Sequence, residues 1–333
     1  MTVVNVKDTK ADVYIGRGSR FGNPFPMSQG RTREQVIGSF NEWISHQPEL
    51  LRLIRQVLPG KSLGCHCAPL PCHGHTVEEI ASGQWGDRIP PEPVFVFGAN
   101  LAGRHGRGSA RSAMQHHGAQ PGVGRGPTGN AYAIPTKSET LNILPLEAIL
   151  EGLEAFKAHA RQASHIHFQL TRIGCGLANT EDDREPDIRE ACLDAPPNVL
   201  LPGTWEALRQ PDIVRLIVAG TRTFKDYQYL ERTLDKLLVN LMKQGKAIEI
   251  VSGGARGADL LGELYAINRG LALRRIPAEW ERFGKAAGHI RNQKMSWYGT
   301  HLAAFWDGES GGTKNMISTA RQDGLATRVL SLL

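Results

Sequence analysis

Few backbones allow an apolar strand to run into glycines and then straight into a helix, and residues 248–295 are patterned for that. Ile248-Glu249-Ile250-Val251 is an apolar run of strand type, Ser252-Gly253-Gly254-Ala255-Arg256-Gly257 is a turn, and Ala258-Asp259-Leu260-Leu261-Gly262-Glu263-Leu264 opens a helical pattern. At such a junction the free N–H groups of the first helical turn and the positive end of the helix dipole point at one spot, which suits a phosphate. Glycine lets the backbone come close to the anion, and Arg256 adds a charged fork. The plainer alternative is an ordinary tight βα turn without a ligand.

The same unit recurs. Toward the C-terminus, Leu216-Ile217-Val218-Ala219 runs into Gly220-Thr221-Arg222, and Phe305-Trp306 into Asp307-Gly308 and Gly311-Gly312-Thr313-Lys314. Between them residues 227–242 carry a leucine stripe at helical spacing: Leu230, Leu234, Leu237, Leu238 and Leu241. In the middle of the chain, Val94-Phe95-Val96-Phe97 leads into a loop with Asn100, Arg104, Gly106, Arg107, Gly108 and Arg111. Two more glycine loops lie at Gly122–Gly129 and at Thr171-Arg172-Ile173-Gly174-Cys175-Gly176-Leu177-Ala178, where Cys175 reads as a small turn residue. Strand, glycine loop and helix in alternation predict an α/β fold whose loops gather at the carboxyl edge of a parallel sheet. Proline-rich stretches near Pro90 and Pro202 divide the chain into segments 1–88, 94–205 and 213–333.

The N-terminal segment is patterned differently. Arg17, Arg20 and Asn23 sit among glycines in an anion-loop or simple turn pattern. Thr32 and Gln35 form a capping box ahead of Val36, Ile37, Phe40, Trp43 and Ile44, which fall on one helical face. Then Cys65, Cys67, Cys72 and His73 crowd into nine residues, enough donors for one tetrahedral Zn²⁺. The spacing is not that of two separated ligand pairs. A reduced thiol cluster at a helix start and a catalytic Cys72 therefore stay open beside the metal reading. His66 and His75 read as spare surface donors.

Composition narrows the rest. With 333 residues, 41% hydrophobic and 22% charged, the chain is a multidomain globular protein and not a disordered one. Net charge +6 favours phosphate-bearing partners, nucleic acid included, without the basic density of a dedicated nucleic-acid binder. No apolar run approaches the roughly eighteen residues of a membrane span, and the N-terminus lacks a signal-peptide core. A cytoplasmic location with reduced cysteines is the expectation.

The runs AGTRTF, SGGARGAD, PAEWERFGKAAGHIRNQKM and AFWDGESGGTKNM resemble the YspA-like branch of the SLOG superfamily, Rossmann-like domains related to the DNA-processing protein DprA and to the lonely-guy hydrolases. The resemblance covers residues 213–333 and implies a doubly wound parallel sheet binding a nucleotide or its derivative. It implies ligand contacts at Gly220, Arg222, Gly253, Gly254, Arg256, Asp259, Lys285, Arg291, Asn292, Gly312 and Thr313. The hydrolases carry a glutamate where Met316 stands here, so base–ribose cleavage by their mechanism is not implied. GANLAGRHGRGSARSA and LTRIGCGLAN are similar to loops of macro-domain-like proteins of phages and bacteria, which implies an ADP-ribose-like ligand at Asn100, Gly106, Gly108, Gly174 and Gly176. IGRGSRFGNPF with the CxC…CH cluster resembles a small α/β domain of unknown function from phages and bacteria. In that family an acidic residue usually stands where this chain has His75. The combination resembles an accessory protein of a phage or mobile element.

Three classes of function follow. The first is processing of a nucleotide-derived small molecule by hydrolysis or transfer at an N-glycosidic or phosphoester bond, with Asp259, Glu279 and His289 as acid–base candidates. The second is a nucleic-acid-directed role in base modification or single-strand binding, and the third a nucleotide sensor without chemistry. Zinc is the cofactor expected, with no redox cofactor, and a homo-oligomer is compatible with all three.

Overall fold

The computed structural model describes residues 2–28, 30–176 and 183–332, which form two compact units, 1–90 with 212–333 and 91–211. The N-terminal part of the first unit contains β1 (Val3–Asn5), β2 (Val13–Tyr14), α1 (Arg33–Ser45), α2 (Pro48–Val57), β3 (Leu63–Cys65) and α3 (His73–Ser82). Its small parallel sheet has the order β1-β3-β2. The Thr32–Gln35 capping box starts α1, and Pro48 in the first turn of α2 costs no hydrogen bond there.

The second unit contains β4 (Val94–Asn100), α4 (Gly108–His116), β5 (Gly126–Thr128), β6 (Ala131–Lys137), α5 (Leu146–Gln162), β7 (Phe168–Leu170), α6 (Glu185–Glu190), β8 (Val199–Leu200) and α7 (Gly203–Arg209). The sheet order is β5-β6-β4-β7-β8, parallel except for β5. Ile149, Leu153 and Phe156 of α5 pack with Tyr132, Ile134, Phe168 and Trp205 in its core.

The C-terminal part of the first unit alternates regularly: β9 (Ile213–Gly220), α8 (Tyr227–Lys243), β10 (Ala247–Ser252), α9 (Ala258–Arg269), β11 (Ala272–Arg275), α10 (Trp280–Phe283), α11 (Ala287–Tyr298), β12 (His301–Trp306), α12 (Gly311–Gln322) and β13 (Ala326–Ser331). All five strands are parallel in the order β11-β10-β9-β12-β13. Strand side chains alternate between faces, and β9 divides its own accordingly. Val214, Leu216 and Val218 pack with α8 and α9, while Ile217 and Ala219 pack with α11 and α12. Burial on both faces is why these strands are apolar throughout. The order in which strands are added reverses at β9, and the sheet is Rossmann-like.

The first unit has one core on its α8–α9 side, and it is shared. Phe40, Trp43, Leu50 and Ile54 of the N-terminal part belong to the same apolar cluster as Leu230, Leu234 and Tyr265. The edge strand β11 is where the two parts join. Trp43 Nε1 and Gln47 Nε2 donate to the Leu273 carbonyl at 3.1 and 2.9 Å, and Gln47 Oε1 accepts from the Arg275 amide at 2.8 Å. Side chains thus satisfy edge groups that would otherwise invite another strand. Among the described residues no helix is long and apolar enough to cross a membrane.

Candidate functional site

The loops after β9, β10 and β12 meet at the carboxyl edge of the C-terminal sheet. Gly220 closes β9 beneath the Phe305 carbonyl, where a Cβ would lie 2.2 Å from the oxygen. Gly257, just before α9, has φ +85°, and a Cβ there would lie 2.2 Å from the Thr221 carbonyl oxygen. The first two loops are therefore in backbone contact, which only glycine permits.

Asp259, in the first turn of α9, ties the second loop to α11. Its Oδ2 accepts from the Gly253 amide at 3.1 Å and the Ala255 amide at 3.4 Å, and lies 3.4 Å from Arg291 Nη1. Asp259 is buried, and burial raises its carboxyl to about 6 against the pull of Arg291. Burial likewise lowers the Arg291 pKa, with Asp259 opposing and Arg222 adding like-charge repulsion. The contacts to Asp259 are long, so they offset only part of the cost of burying its charge. Arg291 Nε donates to Asn292 Oδ1 at 3.0 Å, and Asn292 Nδ2 donates to Asn315 Oδ1 at 2.8 Å and the Gly312 carbonyl at 3.2 Å. That chain reaches the first turn of α12, where Thr313 Oγ1 bonds Ser310 Oγ at 3.2 Å.

Of the residues singled out in this segment, Gly220, Gly253, Gly254, Asp259, Arg291, Asn292, Gly312 and Thr313 belong to this connected group. Arg222 and Arg256 are exposed on the first and second loops, with no hydrogen-bond or ion-pair partner among the described residues. Glu279 is held elsewhere, 2.6 Å from Lys294 Nζ and 3.5 Å from Arg282 Nη1. Lys285 and His289 are exposed at the start of α11 and make no contact that joins them to Asp259. Met316 is buried in the α11–α12 core, so no carboxylate stands at its place.

A network that sequence reasoning missed runs behind the second loop. Ser252 Oγ accepts from the Gly254 amide at 3.0 Å and donates to Glu263 Oε1 at 2.9 Å. Glu263 forms a bidentate pair with Arg275, whose Nη1 donates to the Gly22 carbonyl at 2.8 Å. The glycine loop is thereby connected to the N-terminal Gly16–Phe25 loop. The Arg275 guanidinium lies 4.8 Å over the Trp43 ring, and Arg20 pairs with Glu281 and donates to the Ala278 carbonyl at 2.8 Å. Arg17 donates to the Phe25 carbonyl at 2.7 Å, and Asn23 is buried, its Nδ2 3.2 Å from the Val36 carbonyl. The only signal for this network is the Arg274-Arg275 pair ending an otherwise apolar strand.

In the N-terminal part, Cys65, Cys72 and His73 are buried, with one donor atom from each within 4.8 Å of the others. This group could hold a metal ion. Cys67 is half-buried and outside that set. Cys72 caps α3, and its thiol is lowered to about 7 by the hydrogen bond from Cys65, with the Gly74 amide helping. The same bond pushes the Cys65 thiol up. Burial lowers His73 to about 4, leaving a neutral ring. His75 acts as the second half of the cap, its Nδ1 accepting from the Cys72 amide at 3.5 Å.

In the second unit Asn100 clips its own loop, donating to the Arg104 carbonyl at 2.7 Å and accepting from the Arg104 amide at 3.0 Å. Among the described residues Gly106, Gly108 and Gly176 face open space, whereas a Cβ on Gly174 would meet Ile188 Cδ1 at 2.5 Å. Arg107 is the N-cap of α4 without a side-chain capping bond, and Arg104 and Arg111 flank it in sequence. Burial pushes the Cys175 thiol up to about 12, consistent with a turn residue and not a nucleophile. Leu177 and Ala178 of the third glycine loop lie outside the described residues.

Residues 214–283 match the YspA, cpYpsA-related SLOG family, and residues 4–83 match a domain of unknown function, DUF4326. The Gene 61 protein of Mycobacterium phage D29 is 34% identical over 121 residues, which cover 33% of this chain and 91% of that protein. The chain belongs to the family of this phage protein. The uncharacterized 12.4 kDa protein in the nrdA-td intergenic region of Enterobacteria phage T4 is 32% identical over 95 residues, 28% of this chain and 87% of its own length. No solved structure matches this chain.

Proposed function

We propose that the SLOG crevice binds a nucleotide or nucleotide-derived ligand and holds its phosphate through Arg222, Arg256 and the N-terminal turns of α9 and α12. The observation that carries this reading is the pair of unpartnered arginines on two loops whose backbones touch at Gly257. Two cations held near each other without a carboxylate are stabilised by an anion, and helix N-terminal N–H groups add to the attraction. The phage relatives are consistent with an accessory protein of a phage.

If the ligand is turned over at a phosphoester or N-glycosidic bond, Asp259 is the crevice's acid–base candidate, with its carboxyl raised to about 6. Its contacts to the Gly253 and Ala255 amides of the loop and to Arg291 of α11 also give it a positioning role, and Glu279 and His289 have no comparable link to the crevice among the described residues. The second unit offers a separate loop cluster for an ADP-ribose-like ligand, with Gly106, Gly108 and Gly176 open and Asn100 holding the loop shape. Zinc is the ion that the Cys65, Cys72 and His73 donor set fits, soft sulfur and imidazole together.

The test is a thermal-shift screen with nucleoside phosphates, cyclic nucleotides, NAD and ADP-ribose on the wild type and on Arg222→Ala/Arg256→Ala. Stabilisation of the wild type by a phosphorylated ligand, lost in the double variant, supports the crevice. No stabilisation by any of them at millimolar concentration would sink the reading.

A further inference from the structure

The Cys–His group has features that packing alone does not require. His73 Nε2 lies 2.9 Å from the Ile15 carbonyl oxygen. A carbonyl only accepts, so Nε2 carries the proton and the lone pair of the neutral ring is on Nδ1. Metal-ligating imidazoles are held this way, with the other ring N–H donated to a backbone carbonyl. The ring is further fixed edge-on against Phe40 at 5.1 Å. Cys72 Sγ accepts the Gly74 amide at 3.3 Å, and a Cβ on Gly74 would lie 2.9 Å from both Ile15 Cδ1 and Val3 Cγ1. The segment after Cys72 therefore packs closely enough to fix both donors. Cys192, a buried thiol outside any such group, has none of this support.

The remaining donors of the segment are used otherwise or lie at the edge of the group. His75 is engaged in the α3 cap, and His66 packs edge-on against Tyr14 at 5.8 Å. Cys67 sits half-buried on the turn closed by the Leu70 amide, within hydrogen-bond reach of the Cys65 thiol but not within 4.8 Å of all three gathered donors. We propose that Cys65, Cys72 and His73 form a three-ligand zinc site whose fourth position is exchangeable and takes water or a small anionic or imidazole ligand. The inference rests on the zinc reading above and goes beyond it in assigning an open position. Three protein ligands with one exchangeable position distinguish reactive zinc sites from closed structural ones. Ile15, which orients His73, leads into the Gly16–Phe25 loop that Arg275 holds through Gly22. Only that loop separates the cluster from the β11 edge of the SLOG sheet along the chain of contacts.

The experiment uses the full chain purified without chelator, with zinc counted by native mass spectrometry and then replaced by Co²⁺. The cobalt–thiolate absorption is followed as imidazole and, separately, inorganic phosphate are added. One zinc per chain, retention of that zinc in Cys67→Ser with affinity within about threefold, and a spectral shift on adding imidazole are the expected results. Cys72→Ser should weaken zinc roughly tenfold or more with unchanged circular dichroism. If Cys67→Ser loses zinc as readily as Cys72→Ser and imidazole leaves the wild-type spectrum unchanged, Cys67 closes the site and the open position is wrong while zinc stands. A wild-type chain that takes up neither metal overturns the zinc reading itself. The wild-type titration involves no substitution, and the circular dichroism of the half-buried Cys67 variant, compared with wild type, separates loss of zinc from loss of folding.

Discussion

The crevice of the C-terminal sheet and the loop cluster of the second unit are built from the same sequence pattern, yet most of the glycines named as ligand contacts are surrounded differently in the two. Both follow apolar strands, both are rich in glycine and arginine, and both lead into helices. In the crevice the glycines are filled against: Gly257 against the Thr221 carbonyl, Gly253 against the Arg291 guanidinium. In the second unit Gly106, Gly108 and Gly176 face space among the described residues, although Gly103, Gly124 and Gly129 there pack against backbone and Gly312 of the crevice is open. At Gly253 and Gly257 glycine allows the protein to pack against itself, whereas at Gly106, Gly108 and Gly176 it leaves room. The crevice is accordingly preorganised, its loops held by Asp259, Arg291 and Asn292 before any ligand arrives.

The contrast can be broken at single residues. Gly257→Ala adds a Cβ at φ +85° and 2.2 Å from a backbone oxygen, neither of which can relax cheaply. It should lower stability by about 3 kcal/mol or more, read by urea unfolding. A loss below about 1 kcal/mol would mean that the two loops are not in contact. Gly253→Ala displaces the Arg291 side chain, which would otherwise lie 1.4 Å from the new Cβ, and so disrupts its pairing with Asp259. The expected cost is about 1–3 kcal/mol, together with loss of the ligand-induced thermal shift.

A smaller, pH-dependent effect should come from Asp259. Its folded pKa of about 6 lies above its ordinary 3.8, so the native state holds the proton more tightly than the unfolded chain. The stability that this provides is fully present below 3.8 and is lost as pH rises toward 6. Asp259→Asn lacks this titration, so the melting-temperature difference between wild type and variant should move in the variant's favour across that window. A difference that stays constant would show that Asp259 is not buried with its charge undercompensated. The smallest effect belongs to the open cluster. Gly106→Ala should change stability by no more than about 0.5 kcal/mol, and a larger loss would remove the difference between the two regions.

Much of the architecture was legible in the chain. The capping box at Thr32 and Gln35, the start of α9 at Ala258 and the apolar strands β4, β9, β10 and β12 are local, because they depend on neighbours a few residues away. The SLOG resemblance located the crevice residues Gly220, Gly253, Asp259, Arg291 and Asn292. The partners of those residues were not legible. Nothing near Trp43 or Gln47 indicates that both reach the Leu273 carbonyl, 230 and 226 residues further on. Glu279 read as an acid–base candidate with no visible partner until Lys294 stood beside it, and His75 as a spare donor until it capped α3. Cys67 counted as a ligand by spacing, and a strand end and a helix cap gather Cys65, Cys72 and His73 within 4.8 Å of one another while Cys67 touches that group only through Cys65.

By itself, the sequence determined where strands stop, where glycine is needed and which helices begin there, since these follow from backbone sterics and side-chain periodicity. Tertiary structure alone decided that the N-terminal segment would share a core with the C-terminal sheet and cover its edge strand. It also decided that Arg275 would be spent on Glu263 and Gly22 while Arg222 and Arg256 stayed free. A charge takes its role from what surrounds it after burial, and burial brings together residues that the chain keeps far apart.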